Sequence, residues 1–376
     1  MGGRVKICMV TPHLPPDQAA NALLPQLLHD GLVERGHDVR LMAFTPKADG
    51  AIKKGVHYIR KPANGLYRKL RLSHLETWWS VRAKAEIAFE GVDVVHVHSN
   101  TFMNQVAASL AYRRKLPFVL THYGTEIWHY EPRRIDPFLW MNERAAFVTY
   151  YSRMLLERSV ELGVVPKRPT VVYPPVDQRF GIPTDAERQL ARQELGIDGP
   201  LILNVKRLHP LAGQRFAVEA MPAVLAKFPN AKLAIAGEGE SREELESVIH
   251  DLGLEDAVRL LGLVDNRELP RYYHAADLFV LPSRLEAFPT VAAEALASGL
   301  RVVSADHPGG VELAQLFPDD VRVVPREQIE PLAKVLITEL GRRARSSEAT
   351  RTRIDKEFRP GTAIDTYLEL YEHARD

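Results

Sequence analysis

The chain has 376 residues, 45% hydrophobic and 26% charged, with 49 Lys and Arg against 48 Asp and Glu. That length exceeds one ordinary hydrophobic core and suits two domains. A formal net charge of +1 gives no global pull toward nucleic acid, and the single cysteine, Cys8, excludes an internal disulfide and fits a reduced, cytosolic compartment.

Met1-Gly2-Gly3-Arg4 leads straight into a β-type run over residues 5–10, without a signal-peptide pattern. No apolar run approaches the ~18–20 residues of a spanning helix. Leu23, Leu24, Leu27, Leu28, Leu32 and Val33 recur at helical spacing, and Gly36 suits the C′ position that closes this helix. Residues 39–44 form a second strand, so the chain opens as a β–loop–α–β unit. Between Lys53 and Lys84 the chain is basic, opposed only by Glu76, with Tyr67, Leu70, Trp78 and Trp79 interleaved. Such a segment can make peripheral contact with an anionic inner-membrane surface. A solvated basic face whose Trp residues pack into the domain is the favoured reading.

Residues 92–98 read as a buried strand ending in Ser99-Asn100, 103–114 as a helix, and 118–122 as the next strand, followed by Tyr123-Gly124-Thr125-Glu126. His122 stands at a strand's C-terminal end just before a glycine, where open α/β sheets gather ligands; a packing role is the alternative. Residues 136–144 read as a helix and 146–150 as a strand, and Ser152 caps a helix through Leu162. The expected boundaries are 1–175 for the first domain, 176–200 for a Pro- and charge-rich hinge, 201–357 for the second domain and 358–376 for a C-terminal helix packing back on the first.

The second half alternates again: strands at 201–205, 231–237, 258–262, 277–283, 301–305 and 321–324, with helices between and after them, the later ones from 327 to about 341 and from about 358 to 374. Strands alternating with helices throughout predict an α/β protein of two doubly wound parallel sheets. After Pro282-Ser283 comes Glu286-Ala287-Phe288-Pro289, and seven residues separate Glu286 from Glu294. This is a strand–loop–helix joint, where unpaired helix N–H groups can hold an anion and carboxylates can accept from sugar hydroxyls. A solvated loop Glu and a first-turn Glu suited to the helix dipole fit the same pattern.

The run Glu-x-Phe-Pro-x-x-x-x-Glu after a Pro-Ser strand end resembles the donor-site signature of glycosyltransferase family 4. These are retaining, sugar-nucleotide-dependent enzymes with two Rossmann-like domains facing a central cleft, the GT-B fold. The resemblance extends over nearly the whole chain. It implies that Glu286 holds the donor hexose, Glu294 the ribose hydroxyls, and the backbone from Ala287 through Phe288, Pro289 and Thr290 to Val291 the diphosphate. Leu263 and Val264 would flank the base, Arg207 would bind phosphate, and His122 of the Thr-His-x-Gly-x-Glu run would face the donor sugar. The implied reaction is a front-face displacement in which the leaving phosphate takes the acceptor's proton.

Two positions depart from the family pattern. Ala19-Ala20-Asn21 stands where a Gly-Gly pair is usual, and Ala212 stands where a Lys usually precedes the glycine at 213. The second departure implies an attenuated or inactivated form, whether through an engineered inactivating change, a natural residue with Lys206 or His209 compensating, or lost catalysis. No Asp-x-Asp and no His/Cys cluster occurs in the chain, so a metal is not expected and side chains would neutralise the departing diphosphate. The sequence therefore reads as a hexosyltransferase at work in the cytoplasm or on the inner membrane surface. Its substrates would be a UDP-sugar, favoured over a GDP-sugar, and an acceptor hydroxyl on a lipid-linked sugar, glycan or small metabolite, with no other cofactor. The alternatives are a sugar-nucleotide epimerase or hydrolase of the same fold and a non-catalytic sugar-nucleotide-binding protein.

Overall fold

In the computed structural model, which describes residues 3–15, 20–45, 55–60, 73–342 and 344–375, the chain divides into two compact units. Unit 1 comprises Met1–Pro174 and Pro360–Asp376, and unit 2 Pro175–Arg359.

Unit 1 holds strands β1 (Lys6–Thr11), β2 (Asp38–Phe44), β3 (Val56–Ile59), β4 (Val94–His98), β5 (Phe118–His122), β6 (Phe147–Tyr150) and β7 (Pro169–Val171). Its helices are α1 (Ala20–Glu34), α2 (Ser73–Ala88), α3 (Phe102–Arg113), α4 (Thr125–Trp128), α5 (Pro137–Arg144) and α6 (Arg153–Glu161). The strands are parallel, in the order β3-β2-β1-β4-β5-β6-β7. Both faces of a parallel sheet are covered by its crossover helices, so its strands are apolar on both sides. Cys8, Val10, Val95, Val97 and Leu120 enter one core, and Ile7, Met9, Val94 and Val119 enter the other.

Unit 2 begins with α7 (Asp185–Leu195) and continues through β8 (Leu201–Val205), α8 (Gln214–Leu225), β9 (Lys232–Ala236), α9 (Arg242–Asp251), β10 (Val258–Gly262), α10 (Leu269–Ala275) and β11 (Leu278–Leu281). It ends with α11 (Thr290–Ala297), β12 (Arg301–Ala305), α12 (Pro308–Leu316), β13 (Val321–Val324), α13 (Ile329–Arg342) and α14 (Glu348–Glu357). The parallel order is β10-β9-β8-β11-β12-β13. A last helix, α15 (Pro360–Arg375), belongs to unit 1, where Ile364, Tyr367 and Tyr371 join the core made by Leu24, Leu28, Val94 and Val119.

The segment expected to be a hinge, 176–200, is part of unit 2 and carries α7. Thr184 and Glu187 cap α7 reciprocally, and Gly196 closes it at φ 65°. Arg188 and Arg192 then clamp the Asp277 carboxylate, at 2.5 and 3.1 Å. The helix α14, capped by Ser347, was absent from the expected elements. Ala19 and much of the basic segment between Lys53 and Lys84 lie outside the described residues. Within α2, Trp78 packs against the core, while Trp79 is 59% exposed and Arg82 stands over both rings at 5.5 and 5.9 Å. No described helix is long and apolar enough to cross a membrane.

Under α15 lies a buried polar network. His96 Nδ1 meets the Tyr371 hydroxyl and His96 Nε2 the Thr121 hydroxyl, each at 2.7 Å. Thr121 and Thr149 lie 2.6 Å apart, and the Tyr367 hydroxyl reaches both, at 3.2 and 3.0 Å. His98 Nδ1 meets the Tyr123 hydroxyl at 2.7 Å. Burial holds His96 far below its ordinary value, with His98 adding to the effect, and burial pushes His98 down to about 3 from 6.5. In the unfolded chain both titrate near 6.5, so below that pH the unfolded state takes up protons that the folded state refuses. The network's stability is thus fully present above 6.5 and is lost as pH falls toward about 3. Thermal unfolding measured against pH should show this acid loss in the intact protein and a shallower loss in His98→Asn; identical pH profiles would show that His98 is not held neutral.

Candidate functional site

In each sheet the strand order reverses direction once, between β1 and β4 and between β8 and β11. At such a reversal the loops after the two strands turn opposite ways and leave a crevice at the strands' carboxyl ends. In unit 2 the loops concerned are residues 206–213 and 282–289.

The first of these loops is held by backbone contact. A Cβ on Gly237 would lie 2.0 Å from the Lys206 carbonyl oxygen, and one on Gly213, at φ +64°, would lie 2.2 Å from the Pro282 carbonyl oxygen. Only glycine allows both approaches. The outcome is a direct link between the two loops: Lys206 Nζ lies 2.8 Å from the Glu286 carboxylate. The Glu286 main-chain oxygen accepts from Gly309 N–H at 3.1 Å, which fixes the start of α12 against the same loop. His307 caps α12 by accepting from Gly310 N–H at 2.9 Å. Burial holds this imidazole down at about 4, so it stays a neutral acceptor.

The carboxylate-bearing joint is built as follows. Phe288 and Pro289 are buried, and Phe288 stacks on Phe358 with centroids 5.8 Å apart, so its ring serves the core. Pro289 is the N-cap of α11 and has no N–H, and Thr290 N–H is spent on the Phe288 carbonyl at 3.1 Å. The expectation that the whole backbone run from Ala287 to Val291 donates to a diphosphate is corrected accordingly: Pro289 cannot donate and Thr290 is engaged. Glu294, one turn into α11, accepts from the Tyr273 hydroxyl at 3.1 Å. Burial raises its carboxyl to about 7 from 4.5, against the opposing effect of that hydrogen bond.

Arg207 is exposed, and its guanidinium has no carboxylate partner among the described residues. Ala212 is 3% exposed and ends the short 3-10 turn Pro210–Ala212, so the cation in contact with Glu286 is Lys206. The other suggested substitute, His209, faces Glu240 at 3.3 Å and accepts from Leu211 N–H. Leu263, after β10, is 82% exposed, an uncovered aliphatic surface beside the half-buried Val264. Among the described residues no group of three His, Cys, Asp or Glu stands together as metal ligands would.

His122 belongs to unit 1 and is fully buried. Asn142 gives its amide hydrogens to the Phe138 carbonyl at 2.9 Å, which turns its oxygen toward His122 Nε2, also at 2.9 Å. His122 Nδ1 faces Glu126 Oε1 at 3.3 Å. Both ring nitrogens are therefore spent on protein groups. Sequence reasoning did not assign Glu126, Tyr273 or His307. Glu126 could have been found, since it lies four residues after His122 in the quoted run. Tyr273 and His307 carry no local signal.

Residues 26–180 match the family description Glycosyltransferase Family 4, and residues 187–353 match Glycosyl transferases group 1. An uncharacterized glycosyltransferase of Methanocaldococcus jannaschii is 29% identical over 344 residues, 86% of each chain. A D-inositol 3-phosphate glycosyltransferase of Xylanimonas cellulosilytica is 34% identical over 205 residues, 51% of this chain and 48% of its own length. The solved sucrose-phosphate synthase from Thermosynechococcus elongatus superimposes with a TM-score of 0.75 at 20% identity, over 98% of both chains. Anabaena HepE in complex with UDP and glucose gives 0.76 at 20% identity, over 97% of this chain and 99% of its own. Two parallel-sheet units of GT-B architecture thus accompany matches to both glycosyltransferase descriptions, and the chain belongs to the family-4 type of glycosyltransferases.

Proposed function

We propose that the protein transfers a hexose from a UDP- or GDP-sugar to an acceptor hydroxyl with retention of anomeric configuration, unit 2 taking the donor and unit 1 the acceptor. The observation that carries the donor half is the Lys206–Glu286 contact at the switch point of unit 2, with Glu294 one turn into the adjoining helix. In this reading Glu286 receives the hexose hydroxyls, Glu294 the ribose hydroxyls, and the uncovered Leu263 supports the base. The solved complexes of HepE with UDP and with UDP-glucose favour UDP over GDP. In the reaction the bond from the anomeric carbon to the diphosphate oxygen breaks and the bond from the acceptor oxygen to that carbon forms. The acceptor's proton passes to the departing phosphate, so no side chain has to act as a base. Lys206, Arg207 and the start of α11 meet the departing charge, and preorganised charge of this kind acts mainly on the transition state.

Glu294 supplies the decisive test. A carboxyl raised to about 7 is protonated below that pH and a full acceptor for ribose hydroxyls above it. Calorimetric titration should therefore show UDP affinity rising as pH passes through about 7. That rise, corrected for the ligand's own titration, should vanish in Glu294→Gln. Absence of binding by either nucleotide, or an unchanged pH profile in the variant, would refute the donor assignment.

Lys206 is assigned the work that the family gives to a lysine at the position of Ala212. Lys206→Met should lower turnover by ~10²-fold, a typical loss for one preorganised charged group, while donor dissociation constants move less. Adding Ala212→Lys to that variant should restore part of the loss. Steady-state kinetics with turnover unaffected by Lys206→Met would assign the charge to Arg207 instead.

A further inference from the structure

The chain enters unit 2 at Pro175 and leaves it at Arg359, and these two ends are tied together. Val176 N–H donates to the Phe358 carbonyl at 2.6 Å. The Arg359 guanidinium, held by Asp355 at 2.7 and 2.8 Å, reaches the Asp177 and Phe180 carbonyls, both at 3.4 Å. Phe180 N–H donates to the Asp177 carbonyl at 3.1 Å, which closes a turn, and Arg179 stands over the Phe180 ring at 5.7 Å. The turn therefore fixes a ring that is only 4% exposed.

That ring meets Tyr273 of α10 edge-on, with centroids 5.3 Å apart, and Phe279 of β11 stacks on Tyr273 at 5.8 Å. Contacts of these two kinds set an aromatic ring's orientation as well as its place. Tyr273 has one hydroxyl hydrogen and two acceptors at nearly the same distance, Glu294 Oε2 at 3.1 Å and the Val291 carbonyl at 3.2 Å. A small shift of the ring decides which of them takes the hydrogen. Phe279 is set by its strand, so Phe180 is the neighbour whose placement depends on the turn. A hydrogen given to Glu294 stabilises the charged carboxylate; one given to Val291 leaves the carboxyl to its desolvation, which favours the protonated form.

We propose that Phe180 is a positioning residue for Glu294: packed on Tyr273 and clasped through Arg359, it directs the single hydroxyl hydrogen to the donor-site carboxylate and away from Val291. The proposal rests on the reading that Glu294 receives the ribose hydroxyls, and it adds to the donor site a turn far from Glu294 in sequence.

The test is a titration of the Glu294 side-chain ¹³C signal in the ligand-free full chain, the signal being identified by its loss in Glu294→Gln. UDP binding is measured by calorimetry on the same samples. The unmodified carboxyl should titrate at about 7. Tyr273→Phe deletes the hydroxyl and should move the midpoint up by about half a pH unit, the size expected of one hydrogen bond. Phe180→Leu should move it the same way, and adding Phe180→Leu to Tyr273→Phe should move it no further. This non-additivity is the readout that a purely structural role would not give, because general loosening adds to the loss of the hydroxyl. Phe180→Met, which keeps volume without a ring, supplies the same comparison if Phe180→Leu does not fold. Arg179 and Asp177 of the turn act on Glu294 by charge. The elements packed on α11 also carry Arg271 and His274 on α10, Arg301 on β12, and Arg351 and Asp355 on α14, and every variant keeps all of them. The proposal is overturned if Tyr273→Phe leaves the midpoint in place, if both Phe180 variants do so, or if a Phe180 variant moves it further in the Tyr273→Phe background. The expected shifts in a protein that binds no UDP would support this inference and overturn the donor reading. UDP binding whose pH dependence vanishes in Glu294→Gln, with an unmoved midpoint in the Phe180 variants, would overturn this inference alone.

Discussion

The loop leaving β8 is set by backbone pressed on backbone, and the donor-side arrangement depends on it. The Lys206 carbonyl occupies the space a side chain on Gly237 would need, and the Pro282 carbonyl does the same at Gly213. With both flanks fixed in this way, the ammonium of Lys206 meets the carboxylate of Glu286 across 80 residues of sequence. Parallel pairing adds the second half of the constraint. Because β8 and β11 are neighbours whose other partners lie on opposite sides, their loops diverge and leave open the region that the two charged groups border. The glycines and the strand order together decide which side chains meet.

The strands and their alternation were legible because parallel strands are apolar on both faces and short. Capped helices were legible where a hydrophobic stripe accompanied the cap. Where the stripe was thin, the reading failed. In α7 only Ala191 is buried, and in α14 only Thr350 and Ile354, so both looked like solvated polar chain. Thr184 with Glu187, and Gly196 after them, did spell a helix start and stop, and the capping signal was there to be weighed above the stripe. The two Glu residues of the joint could be found, but their environments could not. That Glu286 pairs with Lys206, that Glu294 lies against Tyr273, and that His122 is enclosed by Asn142 and Glu126 are all products of tertiary packing, and only the last partner sits within one helical turn of its mate.

The two buried carboxyls show how differently one side chain can be held. Glu126 is surrounded by an imidazole and a backbone amide, and these more than repay its desolvation. Glu294 has the Tyr273 hydroxyl and the charge of Arg179, which together fall short of repaying it. The first keeps its charge, whereas the second surrenders it near neutrality unless further donors arrive. By contrast, the carboxylate of Glu339 is enclosed beside Arg301, with Arg322 and Arg342 also within 3.5 Å. Its charge is used up within the protein and ties β12 to α13.

The path of the chain has a consequence for synthesis. Unit 1 is begun first, yet α15 reaches it only after every residue of unit 2 has been made. Until residues 360–375 emerge from the ribosome, Leu24, Leu28, Val94 and Val119 lack the apolar cover that Ile364 and Tyr367 provide, and His96 lacks the hydroxyl of Tyr371. Domains ordinarily complete in the order in which they are translated. Here the order is inverted: unit 2 can close on its own strands, while the half-covered sheet of unit 1 waits, exposed to chaperones and to misassociation, for a helix that arrives after its neighbour is finished.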